Sequence, residues 1–232
     1  MGRHEKAWQV ARQRIADAAR AAGRAHDSVR LLAVSKTFPA SAIRAVHALG
    51  QRAFGENYVQ EARGKRAELA DLQDIRWHLI GPLQSNKAGV AAECFDCVET
   101  IDRAQIAERL ARARASSARP LDVLVQVNVS GEASKHGVAP AEAVALASHV
   151  ATMRSLRLRG IMGIPEPTGD HERLRAQFRT LKGCYDACAA AGLAVNTLSM
   201  GMSADLELAV AEGATEVRIG TAIFGPRDSI QQ

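Results

Sequence analysis

The chain has 232 residues, a formal net charge of +5 and hydrophobic residues at 47% of its positions. This ordinary globular composition excludes an intrinsically disordered chain, a collagen-like repeat and a small disulfide scaffold. The longest stretch without charged residues, 187–204, is interrupted by glycine and polar residues, so we expect no transmembrane helix. The first residues show neither a secretion signal nor a myristoylation signal, and we expect a cytoplasmic protein.

Four cysteines raise the question of a metal site. Cys94 and Cys97 have the spacing of a zinc knuckle. Both fall in a run that we interpret as a strand, where residues three apart point to opposite faces. We therefore expect these two, with Cys184 and Cys188, to be buried free thiols and we expect no metal.

The sequence pI of about 9.3 raises the possibility of nucleic-acid binding. The basic residues are mostly arginines, scattered through helical segments beside acidic residues, as at 103–114. Because a nucleic-acid site gathers its positive charges on one face, this scatter favours solvated helix surfaces.

Short apolar runs rich in β-branched residues alternate with longer amphipathic segments along the whole chain. The predicted strands are 31–35, 53–55, 76–80, 95–99, 122–129, 158–162, 195–200 and 216–220. The predicted helices are 5–22, 41–49, 58–70, 86–92, 103–115, 141–152, 171–190 and 204–211.

Eight strands separated by helices predict right-handed parallel crossovers, each unit taking about 26 residues, close to a βαβ unit. We therefore predict a single (β/α)₈ TIM barrel domain over 1–232, of the α/β class, with an extra N-terminal helix. After the eighth strand little sequence is left for a helix, so this extra helix is expected to pack near that gap. An open doubly wound sheet is the alternative, but it usually carries a glycine-rich turn after its first strand, and Ser35-Lys36-Thr37 has none.

Chemistry in such a barrel sits at the carboxyl ends of the strands. Lys36 ends the first strand, on the same side as Leu32 and Val34 by the alternation of strand residues. If that side is the barrel interior, partial burial disfavours the charged ammonium form and leaves a free amine that attacks aldehydes. A lysine that merely begins a loop is the simpler interpretation.

The last two units carry the stronger signal. Ser203 lies where a strand runs into a helix, which offers a hydroxyl and free backbone amides to an anion, although a plain N-cap is equally compatible. Gly220 ends the eighth strand and allows close approach to its backbone. The loops after strands seven and eight are the recurrent phosphate site of this fold, and Arg218 lies between them and Lys36. An aldehyde-seeking lysine beside an anion site matches the two ends of pyridoxal phosphate.

The sequence resembles the pyridoxal phosphate homeostasis proteins of the YggS/PROSC type, whose fold is similar to the barrel domain of alanine racemase. The motifs that carry this resemblance are Ala33-Val34-Ser35-Lys36-Thr37, Phe54-Gly55-Glu56-Asn57-Tyr58, His78-Leu79-Ile80-Gly81-Pro82-Leu83-Gln84-Ser85-Asn86-Lys87, Val127-Asn128-Val129, Lys135-His136-Gly137, Gly160-Ile161-Met162, Ser199-Met200-Gly201-Met202-Ser203-Ala204-Asp205 and Arg218-Ile219-Gly220-Thr221-Ala222-Ile223-Phe224-Gly225.

The resemblance implies that Lys36 forms a Schiff base with pyridoxal 5′-phosphate, that Ser203, Gly220 and Thr221 hold its phosphate, and that Arg218 faces its ring nitrogen. Asn57, His78 and Met162 complete the implied cofactor set. By itself His78 is typical of a hydrogen-bonded core histidine, and Asn86 of a helix start.

The resemblance further implies a reversible carrier or buffer of the cofactor, without established turnover, that releases it to apo-enzymes. A racemase of low activity is the alternative, with Tyr58 as its one internal candidate for a second acid, since Tyr185 should lie on an outer helix. A phosphate-sugar enzyme on the same barrel is a third class. We expect a monomer, and we interpret Lys87 and Lys135 as solvated loop lysines that are also candidates for a second aldehyde contact.

Overall fold

The structure is a computed structural model that describes residues 2–131 and 136–226. Eight parallel strands form a closed barrel in sequence order, with β1 hydrogen-bonded to both β2 and β8. The strands are β1 (Arg30–Val34), β2 (Ala53–Glu56), β3 (Arg76–Leu79), β4 (Cys97–Ile101), β5 (Leu121–Val127), β6 (Leu156–Gly163), β7 (Thr197–Ser199) and β8 (Glu216–Ile219). The predicted α/β barrel is confirmed, and the open sheet is excluded because β1 closes on β8.

Helices surround the barrel and follow each strand. They are α1 (Arg3–Ala21), α2 (Ala40–Ala48), α3 (Val59–Glu68), α4 (Ala88–Cys94), α5 (Ala104–Arg114), α6 (Ala143–Ala151), α7 (His171–Ala190), α8 (Leu206–Ala211) and α9 (Thr221–Phe224). Short 3₁₀ turns precede α4 and α6. Within the described ranges, no helix has the length and apolar character needed to cross a bilayer.

The extra helix α1 packs where the helix ring is thin, as the sequence predicted. It contacts both α8 and α9, which have six and four residues. Arg14 on α1 forms a salt bridge with Glu207 on α8 and donates a hydrogen bond to the backbone carbonyl of Ser203, at 3.1 Å. The first helix therefore fixes the loop between β7 and α8.

The two faces of the strands have different neighbours. Trp77 and Leu79 pack against the helices in the main apolar core, and His78 between them points into the barrel lumen. Glu99 on β4 accepts a hydrogen bond from Ser199 on β7 at 2.6 Å. Because β4 and β7 are not neighbours, this bond crosses the lumen, which is polar at mid-height.

The strand prediction was wrong around the first cysteine pair. Cys94 is the last residue of α4, and β4 begins at Cys97. Phe95, which is almost fully buried, gives this segment the apolar character of a strand although it lies in the connecting loop. Cys94 and Cys97 thus belong to different elements. All four cysteines are free and buried, as expected.

Candidate ligand site at the barrel mouth

Lys36 stands in the turn that follows β1. The Ser35 hydroxyl donates a hydrogen bond to Glu56 at 2.6 Å, on the outer side of the barrel, so Ser35 points away from the lumen. Lys36 comes next and is half-buried. Within β1, Leu32 and Val34 alternate with Ala33 and lie on the lumen side, and Lys36 follows them in the turn.

A buried cluster of charged side chains packs against this turn on its helix-facing side. Lys65 on α3 donates hydrogen bonds to the Ser35 carbonyl at 2.8 Å, to Glu56 at 2.8 Å and to Glu61 at 2.7 Å. Glu61 also accepts a hydrogen bond from the backbone N–H of Thr37 at 2.6 Å. Sequence reasoning missed this cluster, although the four-residue spacing of Glu61 and Lys65 on a helix was a signal.

Thr37 has a φ of 70°, in the left-handed region that β-branched residues rarely adopt. Such a conformation costs about 1–3 kcal/mol and persists where surrounding contacts impose it, often at functional sites. Here the hydrogen bond to Glu61 and the buried Lys65 behind Ser35 impose it. The chain therefore maintains strain directly after Lys36.

The turn after β8 lies beside the Lys36 turn. Ala33 is in register with Ile219, which brings Gly220 next to Val34. A Cβ on Gly220 would lie 3.3 Å from the Val34 carbonyl oxygen, so the missing side chain reflects close packing on β1. Phe38 stacks on Phe224 with ring centroids 5.1 Å apart. These contacts hold the two turns together at the same end of the barrel.

The anion end of the site differs in part from the sequence prediction. Thr221 is exposed and begins α9, whose first backbone amides have no partner within the helix. The helix expected from 204 instead begins at Leu206, with Asp205 as its N-cap. Ser203 therefore lies in the preceding turn and is not the N-cap. The backbone N–H of Met202 binds the Asp205 carboxylate at 2.5 Å, which closes that turn ahead of the helix.

Arg218 is buried in the lumen below these turns, with 4% of its surface exposed. It donates hydrogen bonds to the Ser199 hydroxyl at 2.8 Å and to the Gly163 carbonyl at 2.8 Å. The Ser199 hydroxyl donates a hydrogen bond to Glu99, and Glu99 also accepts one from His78 Nδ1 at 2.7 Å. A continuous chain of hydrogen bonds thus fixes the guanidinium.

The charged side chains along this series of hydrogen bonds compensate one another. Burial acts to raise the pKa of Glu99, but the hydrogen bond to His78 and the charge of Arg218 hold that pKa below its ordinary value. Burial opposes the charged form of His78, yet contacts with Cys97 and Glu99 keep its pKa well above the usual range. The sequence prediction did not include Glu99. The signal for it was an acidic residue inside an apolar strand, which indicates a buried partner.

The three side chains of His78, Cys97 and Glu99 place possible metal-ligand atoms within 4.8 Å of one another. We interpret them as a hydrogen-bonded network, because His78 and Glu99 already bind each other and Arg218 supplies the positive charge. Burial raises the pKa of the Cys97 thiol to about 11, so it is neutral near pH 7.

The remaining candidate residues lie at different depths. Asn57 lines a cavity of about 310 Å³ at the mouth, together with Gln126, Asn128 and Ile164. Met162 is fully buried beside Ser199 in register. His78 lies deepest and lines a second cavity, at the amino ends of the strands. The structure thus brings the turns that carry Lys36, Gly220 and Thr221 together, with Arg218 beneath them, and within the described ranges it links His78 to Arg218 through Glu99 and Ser199.

The other residues considered from the sequence have separate environments. Tyr58 is 61% exposed just before α3. Tyr185 lies on the outer helix α7, where its hydroxyl donates to the Val195 carbonyl at 3.3 Å. Lys87 is half-buried in the 3₁₀ turn before α4, and Asn86 is exposed in the same turn. Lys135 lies outside the described residues.

The fold and the mouth site together define a barrel of the alanine racemase type. The profile of the family described as alanine racemase, N-terminal domain, matches residues 10–228. The barrel is similar to alanine racemase from Corynebacterium glutamicum with a TM-score of 0.66 and 17% identity, covering 95% of this chain and 62% of that one. At this identity the likeness concerns the fold alone.

Relatives of higher sequence identity show to which family within this class the chain belongs. A pyridoxal phosphate homeostasis protein of Pseudomonas aeruginosa is 56% identical over 215 residues, 93% of this chain and 92% of the relative. That of Escherichia coli K12 is 50% identical over 224 residues, 94% of each chain. PipY of Synechococcus elongatus, whose structure has PLP bound, is 43% identical with a TM-score of 0.80, covering 85% of this chain and 93% of PipY. The chain belongs to the family of pyridoxal phosphate homeostasis proteins.

Proposed function

We propose that this protein binds pyridoxal 5′-phosphate reversibly at the barrel mouth and acts in its homeostasis as a carrier or buffer. The residues that we assign to the cofactor are Lys36, Asn57, His78, Met162, Ser203, Arg218, Gly220 and Thr221. Lys36 holds the aldehyde, the turns at Ser203 and Gly220–Thr221 hold the phosphate, and Arg218 faces the ring nitrogen. His78 acts as a positioning residue, through Glu99 and Ser199.

The donor set of the mouth fits this cofactor. The observation that carries the proposal is the pairing of β1 with β8, which puts the Lys36 turn beside the turn that begins α9, with Arg218 buried below. A primary amine, helix-end amides and a guanidinium match an aldehyde, a phosphate and a ring nitrogen. When bound, pyridoxal phosphate supplies an aldehyde that condenses with amines and a ring that withdraws electrons. The names of the relatives and the PLP bound to PipY support the same role.

We further propose that this role is not enzymatic. Arg218 has only hydrogen-bond donors, so it cannot accept a proton from the ring nitrogen and it leaves the ring a weak electron sink. Racemisation needs an acid or base on each face of the substrate α-carbon. Lys36 can serve one face, and Tyr58 is the internal candidate for the other. Its side chain is 61% exposed, without the packing that would hold a proton donor at a defined position.

The partners we propose are the cofactor and the apo-forms of enzymes that use it, with the protein acting as a monomer in the cytoplasm. Among the described residues, the large hydrophobic side chains that are exposed are Val10, Tyr58, Ile164 and Met202. Single exposed residues of this kind are normal for a monomeric surface.

Reduction of the cofactor-loaded protein with borohydride, followed by peptide mapping, tests the assignment. We expect visible absorbance before reduction and a pyridoxyl mass on the peptide that contains Lys36. Lys36→Ala should lose both signals, whereas the matched variant Lys87→Ala, in another mouth loop, should keep them. A pyridoxyl mass on any other lysine, or unchanged absorbance in Lys36→Ala, would contradict the assignment.

A further inference from the structure

A second cavity lies at the opposite end of the barrel from the mouth. It has a volume of about 480 Å³ and extends from α1 across the amino ends of the strands into the lumen. Its α1 wall combines the apolar side chains of Trp8 and Ile15 with Arg12, whose guanidinium lies 4.9 Å from the centroid of the Trp8 ring. We call it the floor cavity; of the residues assigned above to the cofactor, only His78 lines it, as a positioning residue.

Positive charge exceeds negative charge around the floor cavity, whose Arg30 and Arg76 side chains are 52% and 56% exposed. Asp122 binds two arginines of the cavity lining, Arg76 at 3.0 Å and Arg159 at 3.9 Å, and it also binds Arg157, outside that lining, at 2.6 Å. A fourth, Arg30, lies 3.4 Å from the Glu216 carboxylate. The residues that line the cavity include five arginines and three carboxylates, which leaves an excess of two positive charges: Arg12, Arg30, Arg52, Arg76 and Arg159 against Asp27, Asp122 and Glu216.

An unpaired carboxylate oxygen of Glu216 is an independent indication that the floor cavity binds a ligand. Glu216 is 3% exposed and lines the floor cavity, and its Oε1 atom has no hydrogen-bond partner. Burial first, and the neighbouring Glu99 carboxylate second, raise the pKa of Glu216. A buried polar atom without a hydrogen-bond partner is costly, so this oxygen favours a polar partner supplied from the cavity.

Hydrogen bonds hold Trp8 in place in the α1 wall of the floor cavity. The indole N–H of Trp8 donates to the Gln51 side chain at 3.1 Å. Gln51 in turn donates to the backbone carbonyls of Leu31 and Ala53, at 2.9 and 2.8 Å. These bonds fix the tryptophan before any ligand arrives, which lowers the ordering cost of binding.

We propose that the floor cavity is a binding site for a dianionic phosphate ester with a flat or apolar body. Its phosphate would lie among Arg30, Arg76 and Arg159, where its two negative charges match the two excess positive charges. Guanidinium groups bind phosphate through paired hydrogen bonds. Its body would pack along Trp8 in place of the Arg12 guanidinium, which lies 4.9 Å from the ring centroid. The cavity exceeds the size of an inorganic ion, so we expect inorganic phosphate to bind more weakly than an ester.

The test uses 4-nitrophenyl phosphate, an aromatic phosphate monoester whose absorbance overlaps tryptophan emission. The protein is first loaded with pyridoxal phosphate and reduced with borohydride, so that the mouth is blocked. If it cannot be loaded, Lys36→Ala is used instead, so the outcome does not depend on the proposed function. We expect saturable quenching of tryptophan fluorescence, with calorimetry giving the affinity, and weaker binding of 4-nitrophenol, which lacks the phosphate.

Arg76→Gln is the critical variant, because Asp122 retains Arg157 and Arg159 and the fold should persist. We expect it to weaken binding at least tenfold, whereas Arg20→Gln, on the exposed surface of α1, should bind as the parent does. Trp8→Phe should bind but lose most of the quenching. Absence of binding, equal affinity in Arg76→Gln and Arg20→Gln, or full quenching in Trp8→Phe would each overturn the proposal. Should Arg76→Gln fail to fold, Arg159→Gln provides the same comparison.

Discussion

Replacement of Lys65 by methionine tests the buried cluster that braces the Lys36 turn. Lys65 is 6% exposed and Glu56 is fully buried, with one carboxylate oxygen already without a hydrogen-bond partner. Methionine keeps the length of the side chain but removes all three of its hydrogen bonds. Removing one partner of a buried ion pair leaves an uncompensated charge and typically costs about 3–5 kcal/mol.

For a chain of this size, each kcal/mol lowers Tm by roughly 2–4 °C. We therefore expect Lys65→Met to lower Tm by about 6–20 °C in thermal unfolding followed by circular dichroism. Lys6→Met is the matched control, because Lys6 is exposed on α1, and an exposed substitution changes stability by about 0.5 kcal/mol or less.

The loss of stability in Lys65→Met should also depend on pH. Burial raises the pKa of Glu56, and Lys65 acts against that shift. Without Lys65 the folded-state pKa rises further above the unfolded value of ~4.3. The folded state then binds more protons than the unfolded state, so the free energy of unfolding falls as pH increases through the folded-state pKa. The variant should be nearest to the parent at about pH 5 and least stable, relative to it, at about pH 8.

Two results would refute this reasoning. One is a loss below about 1 kcal/mol at the higher pH, comparable to that of the control. The other is a failure of the double variant Glu56→Gln, Lys65→Met to recover stability, because removal of the buried charge should relieve most of the penalty.

Three further outcomes are expected. Gly81→Ala should strongly destabilise the mouth, because a Cβ there would collide with the backbone of Asn57. Gly64→Ala, which has open space in an exposed part of α3, should instead gain about 0.5–1 kcal/mol of stability. Urea unfolding compares the two variants, and equal effects would contradict the packing argument. Cys188, whose pKa burial raises to about 11, should react with iodoacetamide at pH 8 only after unfolding, as mass spectrometry would show, and rapid labelling of the native protein would contradict its burial. The α-hydrogen of alanine should exchange in deuterated water no faster with the loaded protein than with Lys36→Ala, and exchange above that background, followed by proton NMR, would favour the racemase.

Residues far apart in the chain determine the properties of the mouth. Ser199 joins Arg218 to Glu99, which lies 100 residues earlier in the sequence. Arg14 of the first helix holds the loop that carries Ser203. Substitutions in α1 or β4 should therefore affect cofactor binding although neither element reaches the proposed ligand.

The sequence by itself determined the barrel, and it predicts the position of Lys36. Strand residues alternate between two faces and parallel strands need helical crossovers, so the order of apolar runs was sufficient for the architecture. The same local rules predict Lys36 on the row of Leu32 and Val34. Side chain periodicity is a short-range property, and a linear sequence displays it directly.

Only the tertiary structure decided which side chains meet inside the barrel. Local pattern placed Cys94 on a strand and made Ser203 the start of a helix, but α4 extends through Cys94, and Asp205 is the N-cap of α8. The contact of Glu99 with Ser199, the cluster around Lys65 and the excess of arginines around Asp122 depend on closure of β1 against β8 and on the stagger of neighbouring strands. These contacts join residues distant in the chain, and their energies depend on burial, which no local pattern specifies.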